Sequence, residues 1–396
     1  MRFSMDNHCL EDPEEIKQID KADMLKFCLN MSKHYRKATS LAADITVKYA
    51  KPCNIIIAGM GGSAIGGELL KDWAREKIHV SIEVNREYHL PVYANKRTLV
   101  LVTSYTGDTE ETLSALLDAI KKKCMIYCIT SGGLLLEIAK QLNIPHLQVP
   151  AGMPPRAALP YMLIPLLVFL EKIGLASDIS KEIDEALPII EGIEKQNAVE
   201  IPVKNSLIKT LAVNIEGFIP AIYGFGIYSS VARRFKQQIN ENAKMMAKWD
   251  NLPELDHNEV VGYEKTKGIT SQFVVIFIRD KDEPIEIRSR IEITKNLIEP
   301  SVAGIYEVWS QGENGLAKML SVVAVADFLS NYLAILRKVD STPVKTINKL
   351  KDLLKKDGTK EQVIKELEKI LVCYDFCGLC DKTVSDTPTT YGNYIP

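Results

Sequence analysis

The chain alternates short apolar runs with amphipathic stretches. The first run, 54–58, reads NIIIA, and a short block of β-branched residues predicts a strand. It runs into a glycine cluster, GMGGSAIGG at 59–67, and then into apolar residues at helical spacing. Further strands are predicted at 79–84, 98–104, 124–130 and 146–149, with helices at 108–121, 132–141 and 155–174. Regular alternation of strand and helix predicts parallel strands joined by crossover helices. The stretch 54–174 therefore reads as one doubly wound α/β sheet domain.

A second alternating unit follows a charged segment, 175–205, which reads as a helix plus a linker. Strands are predicted at 219–224, 272–278 and 304–309, and helices at 231–240, 285–297, 316–337 and 341–354. Both units open with a strand, glycines, serine and a helix, the pattern of an internal duplication. Residues 1–18 are polar and read as loosely held. The amphipathic pattern of 19–50, with Met24, Phe27, Cys28 and Met31 on one stripe, predicts a helix. The expected division is a helical extension over 1–40, one domain over 41–190, a second over 191–356, and a tail over 357–396 that is polar, helical and then irregular.

Composition changes this picture little. A chain of 396 residues is long enough for two domains. A net charge of −2 gives no basic footprint for nucleic acid or an anionic membrane. The most apolar run, 161–170, is too short to span a bilayer. The N-terminus carries acids where a signal peptide needs a basic and then an apolar run. These features predict a cytoplasmic protein. Its 8 cysteines are too few for a disulfide framework in so long a chain.

The candidate chemistry begins at the glycine cluster. A strand, a Gly-rich turn and a helix start expose unpaired N–H groups to an anion. The run from Gly59 to Ala64 fits G-x-G-x-x-A, the form of a dinucleotide fingerprint. That fingerprint also wants an acid about 20 residues on, at the end of the second strand. Glu83 is near that distance but lies inside VSIEV. A second loop, SYTGDTEET at 104–112, points elsewhere. Ser104, Thr106 and Thr109 place three hydroxyls around a glycine at a helix start. Phosphate oxygens accept from hydroxyls and free N–H groups, and the helix dipole adds to this. Capping by Thr106 or Asp108 would need only one such group. A neutral hydroxyl cradle without lysine suits a phosphate that is not itself transferred, whereas a kinase-type loop would want Lys and Mg²⁺.

The pairing of GMGGSAIGG with SYTGDTEET resembles the sugar isomerase (SIS) domain that binds phosphosugars. Three more segments narrow the resemblance: PPRAALPYM at 154–162, NENAKMMAKWDNLPELDHNE at 240–259 and TINKLK at 346–351. Together they are similar to the bifunctional phosphoglucose/phosphomannose isomerases, over roughly 20–356. The resemblance implies two SIS domains, each a doubly wound five-stranded parallel sheet flanked by helices. It implies a homodimer and a hexose 6-phosphate substrate. Phosphate binding would fall on Gly61, Gly62, Ser63, Ser104, Thr106 and Thr109. Glu241 matches the catalytic base, Arg156 the arginine of the PRAALP run, His257 the ring-opening histidine supplied by the partner subunit, and Lys351 the lysine near the C-terminus.

The chemistry is consistent with that set. Aldose–ketose isomerisation moves one proton between adjacent carbons and needs a single base poised over both. A cation or hydrogen-bond donor must meet the enediolate oxygens. No metal or redox cofactor is expected. Each residue also has a plainer reading: Glu241 as a solvated helix charge, His257 as a loop histidine, Arg156 as a surface cation. Lys351 sits among Lys345, Lys349, Lys355 and Lys356, which reads equally as a solvated face. Two classes compete with the isomerase, a non-catalytic phosphosugar regulator and an aminosugar-phosphate isomerase or deaminase. The presence of Glu241, Arg156 and His257 favours the enzyme.

Three features depart from the family pattern or lie outside it. Asp108 replaces an asparagine and adds negative charge beside the phosphate, unless it faces away as a cap. A threonine expected to admit mannose phosphate is either Thr342 or absent, with Val344 in its place. In the tail, Cys373, Cys377 and Cys380 have the spacing of an iron–sulfur motif or of part of a zinc site. A reduced thiol tail is the expected state.

Overall fold

The computed structural model describes residues 7–264 and 267–380, and carries two sheets in which every strand pairing is parallel. The N-terminal segment forms α1 (Pro13–Ile19), α2 (Met24–Cys28) and α3 (Met31–Ala43). The single helix predicted over 19–50 is thus broken. The Asp20 carboxylate accepts from the N–H groups of Met24 at 2.9 Å and Leu25 at 2.7 Å, and Asp23 turns the chain at φ 57°. Asp12 caps α1 by accepting from Glu14 and Glu15, so regular structure begins inside the segment that composition reads as loose.

The first sheet is built from β1 (Asn54–Ala58), α4 (Gly61–Ala74), β2 (Ser81–Asn85), β3 (Thr98–Thr103), α5 (Glu110–Lys121), β4 (Met125–Thr130), α6 (Gly133–Gln141) and β5 (His146–Gln148). Its five strands run in the order β2-β1-β3-β4-β5. The central strands, β1 and β3, are the most apolar runs of this unit and are almost wholly buried, as parallel strands covered on both faces must be. A 3-10 turn (Pro155–Ala158) leads into α7 (Leu159–Lys172), which packs on α3 and α4. Gly66 lets α4 approach closely: a Cβ there would lie 2.6 Å from the Met162 carbonyl oxygen. Next comes α8 (Ile179–Gln196). It runs unbroken through 190–191, the expected boundary between units, and packs on a helix of the second unit. α3 likewise runs through 40–41, the expected end of the N-terminal extension.

The second unit contains α9 (Leu207–Ile215), β6 (Ile219–Phe225), α10 (Ser229–Ala243), β7 (Lys248–Leu252), α11 (Lys267–Thr270), β8 (Phe273–Arg279), α12 (Ile285–Ile298), β9 (Gly304–Trp309) and α13 (Gly315–Leu336). Its strand order is β7-β6-β8-β9, which repeats the first four positions of the first sheet. The expectation of five strands per domain is therefore corrected for this unit: among the described residues it has four. Among the described residues, the helix–strand step that α6 and β5 make in the first unit has no counterpart in the second. The chain passes from β9 directly into α13, the helix that packs on α8, α9 and α10. α13 is long and apolar enough to cross a membrane, but 94% of that window is buried inside the protein, as a core helix is. β7 is missed by the hydrophobic pattern because KWDNL is a half-buried edge strand without a run of apolar residues.

The described residues close with α14 (Lys345–Asp357), which buries none of its residues, and α15 (Thr359–Cys380). α15 lies on α5, burying Leu367 and pairing Glu366 with Lys121. The start of the tail is thus part of the first unit's packing. The side chains of Cys373, Cys377 and Cys380 lie outside the described residues.

Substituting Gly66→Ala should press a methyl group into the Met162 carbonyl and separate α4 from α7. The expected loss is about 1–3 kcal/mol, seen as a lower denaturant midpoint with unchanged slope. An unchanged midpoint would show that the two helices tolerate a wider spacing.

Candidate active site

The first part of the site is the turn between β1 and α4. Gly61 adopts φ +51°, a conformation that favours glycine. Gly62 is needed for a different reason: a Cβ there would lie 2.9 Å from the Pro155 carbonyl oxygen and 3.2 Å from the Arg156 nitrogen. The N–H groups of Gly61 and Gly62 stand at the helix start, where no intrahelical acceptor reaches them. Ser63, expected at the phosphate, makes contacts within the fold. Its N–H donates to the Met60 carbonyl, and its Oγ, buried, accepts from the Tyr105 N–H at 3.0 Å. Ser63 therefore fastens the glycine turn to the second loop.

That second loop follows β3. Ser104 Oγ lies 3.0 Å from Thr109 Oγ1 and accepts from the Gly107 N–H at 3.1 Å. Gly107 adopts φ +77°, and a Cβ there would sit 1.8 Å from the Gly132 carbonyl oxygen, so only glycine fits. Ser104 is buried, Thr109 is half-buried, and Thr106 is exposed. The hydroxyls of Ser104, Thr106 and Thr109 thus line one short loop beside the glycine turn. Asp108 is not the cap of α5; that position is Thr109, which makes no side-chain cap bond. Asp108 Oδ1 instead accepts from the Leu134 N–H at 3.3 Å, at the start of α6, and lies 3.9 Å from the Lys360 ammonium of α15. Its charge is directed at two donors and is partly balanced by Lys360.

The second part of the site joins the two units. Arg156, at 4% exposure, sits in the turn before α7 and reaches into the second unit. Its Nε donates to Asn242 Oδ1 at 2.5 Å, and its Nη2 donates to the carbonyls of Ser341 at 2.6 Å and Thr342 at 3.2 Å. Its Nη1 lies 3.7 Å from Glu241 Oε2. Burial pulls this guanidinium below its usual range and the Glu241 carboxylate opposes that, leaving it a cation at neutral pH. Glu241 is half-buried in the last turn of α10, so one of its faces remains open.

A buried polar network holds this junction. Asn242 Nδ2 donates to Ser330 Oγ at 2.9 Å. Arg234 Nη2 donates to both oxygens of Asp327, at 2.9 and 2.8 Å, and to the Arg156 carbonyl at 3.2 Å. Gln238 Nε2 donates to the same aspartate at 2.6 Å. The backbone of Arg156 is thus fixed by α10, which is itself tied to α13. The Thr342 hydroxyl is buried beside Arg156 and has no hydrogen-bond partner among the described residues.

The structure sets Glu241 beside Arg156, the Arg156 segment against the backbone of Gly62, and the glycine turn against the hydroxyl loop through Ser63. Among the described residues, neither His257 nor Lys351 forms an ion pair with Glu241, whose pair is Arg156. His257 is exposed at the end of the 3-10 turn after β7, and Lys351 is exposed on α14. Two residues at the junction were not singled out in the sequence, Asn242 and Lys244. Both stand in the NENAK run beside Glu241, and their position at a helix end was the available signal.

Comparison with known proteins bears on this arrangement. Residues 204–354 match the bacterial phospho-glucose isomerase C-terminal SIS domain. Over 334 residues the chain is 38% identical to a bifunctional phosphoglucose/phosphomannose isomerase from Caldicellulosiruptor bescii, covering 84% of this chain and 98% of that protein. The chain belongs to that family. A D-glucosamine-6-phosphate 4-epimerase from Sulfolobus acidocaldarius is 30% identical, over 67% of this chain and 83% of its own length. The fold is similar to that of a hypothetical protein from Thermus thermophilus, with a TM-score of 0.67 at 16% identity, covering 87% of this chain and 94% of that one.

Asp327→Ala would leave the Arg234 guanidinium and the Gln238 amide buried without their shared acceptor. Removing one partner of a buried ion pair costs about 3–5 kcal/mol, so equilibrium unfolding should show a loss of that size. A loss below about 1 kcal/mol would mean that the pair does not hold the junction.

Proposed function

We propose that this chain interconverts glucose 6-phosphate and fructose 6-phosphate, and also mannose 6-phosphate and fructose 6-phosphate, by proton transfer through an enediolate. The observation that carries the reading is the contact of buried Arg156 with Glu241, made where the backbone of Gly62 packs on Pro155 and Arg156. One short segment therefore links the phosphate loops to the reacting carbons.

In this reading the N–H groups of Gly61 and Gly62 and the hydroxyls of Ser104, Thr106 and Thr109 hold the phosphate, which takes no part in bond making. Ser63 keeps the two loops together. The Glu241 carboxylate removes the proton from C2 of the aldose, or C1 of the ketose, and returns it to the neighbouring carbon. Arg156 faces the enediolate oxygens with a fixed cation, which costs no reorganisation as charge develops. One carboxylate serves both carbons, so the proton transfer itself needs no metal.

Ring opening is assigned to His257 and Lys351. Both are exposed and neither is ion-paired with Glu241, which supports a homodimer in which His257 enters the partner's site. Ile347, Leu350 and Leu353 on α14 are exposed apolar residues and fit the same arrangement.

Glu241→Gln keeps the shape of the side chain and removes the base. The variant should fold, retain affinity for fructose 6-phosphate and lose turnover by at least about a thousandfold. A coupled assay with glucose, mannose and glucosamine 6-phosphates, run with EDTA, checks both the variant and the substrate class. Turnover of the aminosugar alone, or of none of the three, would overturn the reading. Mixing Glu241→Gln with His257→Ala subunits should restore part of the activity by completing one site per mixed dimer. Absence of any recovery, with subunit exchange demonstrated, would place His257 in its own chain's site.

A further inference from the structure

We infer that Lys244 is a positioning residue of this site, a strut that holds the last turn of α10 to the 341–342 segment and so fixes the guanidinium of Arg156 against Glu241. The inference rests on the isomerase reading above.

Lys244 follows the last residue of α10 with φ 54°, in the left-handed region that glycine or asparagine occupies more easily. Lys123 and Lys338 hold similar positions after α5 and α13, so the backbone conformation alone does not distinguish Lys244. The destination of its ammonium does. Lys244 Nζ donates to the Glu241 carbonyl at 2.5 Å and to the Ser341 carbonyl at 2.7 Å. The Ser341 oxygen also accepts from Arg156 Nη2 at 2.6 Å. Two cations, one from each unit, therefore converge on one main-chain oxygen, and the next carbonyl, that of Thr342, accepts from Arg156 as well.

This geometry has a direct consequence. Nε of Arg156 is held by Asn242 and Nη2 by the 341–342 carbonyls, and these contacts decide where Nη1 points. If the 341–342 segment shifts, Nη1 loses its place beside Glu241, and the Thr342 hydroxyl moves with the segment. The contacts that shape the phosphate loops, Ser63 with Tyr105 and Ser104 with Thr109 and Gly107, involve neither Lys244 nor the 341–342 segment. Loss of the strut should thus act on turnover and leave substrate affinity nearly unchanged.

The strut is also titratable. Lys244 is an exposed residue whose ammonium is partly desolvated among its carbonyl partners; that desolvation, and then the charge of Arg156, draw it down to about 8, while Asp340 and Glu241 act in the opposite direction. As pH rises through that value, one charge-assisted hydrogen bond to Ser341 is weakened. A lysine whose pKa is lower in the folded state binds fewer protons there than in the unfolded chain. Raising the pH through this window therefore removes a cost to folding rather than adding one. The alkaline fall in kcat should come without a matching fall in stability from this group.

The test is Lys244→Gly, which removes the ammonium and suits the backbone, alongside Lys244→Arg. With fructose 6-phosphate, Lys244→Gly should keep or raise the thermal midpoint, hold KM within about twofold and lower kcat by about tenfold or more. Lys244→Arg, which stays charged, should recover most of kcat and move the alkaline limb of its pH profile upward. A Lys244→Gly enzyme with wild-type kcat would overturn the proposal. So would a loss of kcat that only tracks a loss of folded protein. Failure of the wild-type chain to isomerise any hexose phosphate would instead strike the isomerase reading itself.

Discussion

The structure depends on the burial of one cation. Arg156 could not be taken out of water without acceptors, because an uncompensated buried charge costs several kcal/mol. Its acceptors come from a different unit: Asn242, Ser341 and Thr342, with Glu241 close by. Satisfying the arginine therefore requires the two units to meet in one relation. The requirement that keeps the guanidinium stable also places a fixed cation beside a carboxylate with an open face. Structural stability and the proposed chemistry share one contact.

Close backbone approach is the second constraint. Gly62 rests against Pro155 and Arg156, Gly66 against Met162, and Gly107 against Gly132. At each point a Cβ would occupy space already taken by main chain. The run from Gly59 to Ala64, which contains Gly62, looks like a nucleotide fingerprint when read as a string. In the fold, Gly62 and Gly66 bring α4 onto the segment that carries Arg156, and Gly107 locks the hydroxyl loop onto the turn before α6. Only Gly61 is required by its own backbone angle alone.

The two units repeat a strand order but not a role. The first keeps a fifth strand and a hydroxyl-lined loop after its β3 strand. Among the described residues the second has no such strand, and the loop after β8 begins with Asp280 where the first unit has Ser104. Asp280 accepts from the Tyr228 hydroxyl and lies 3.1 Å from the Lys318 ammonium. A carboxylate of the chain itself stands at the matching position, so the phosphate reading applies to the first unit alone. The second unit carries Glu241 in the last turn of α10, the helix that follows its first strand.

The alternation of apolar strands and amphipathic helices was legible in the sequence, because burial on both faces of a parallel sheet demands continuous apolar runs such as TLVLVT. The glycine turn, the hydroxyl loop and the candidates Glu241 and Arg156 could be named from local pattern and resemblance. The edge strand β7, the break at Asp20 and the docking of α15 could not, since each is decided by a partner distant in sequence or by a single side chain acting on the backbone. The use of Ser63 as a fastener, the turning of Asp108 toward α6 and Lys360, and the place of Lys244 belong to the same class. A residue's type states which bonds it is able to make. Which one it makes depends on what the fold brings near, and Arg156 and Asn242, 86 residues apart, meet only there.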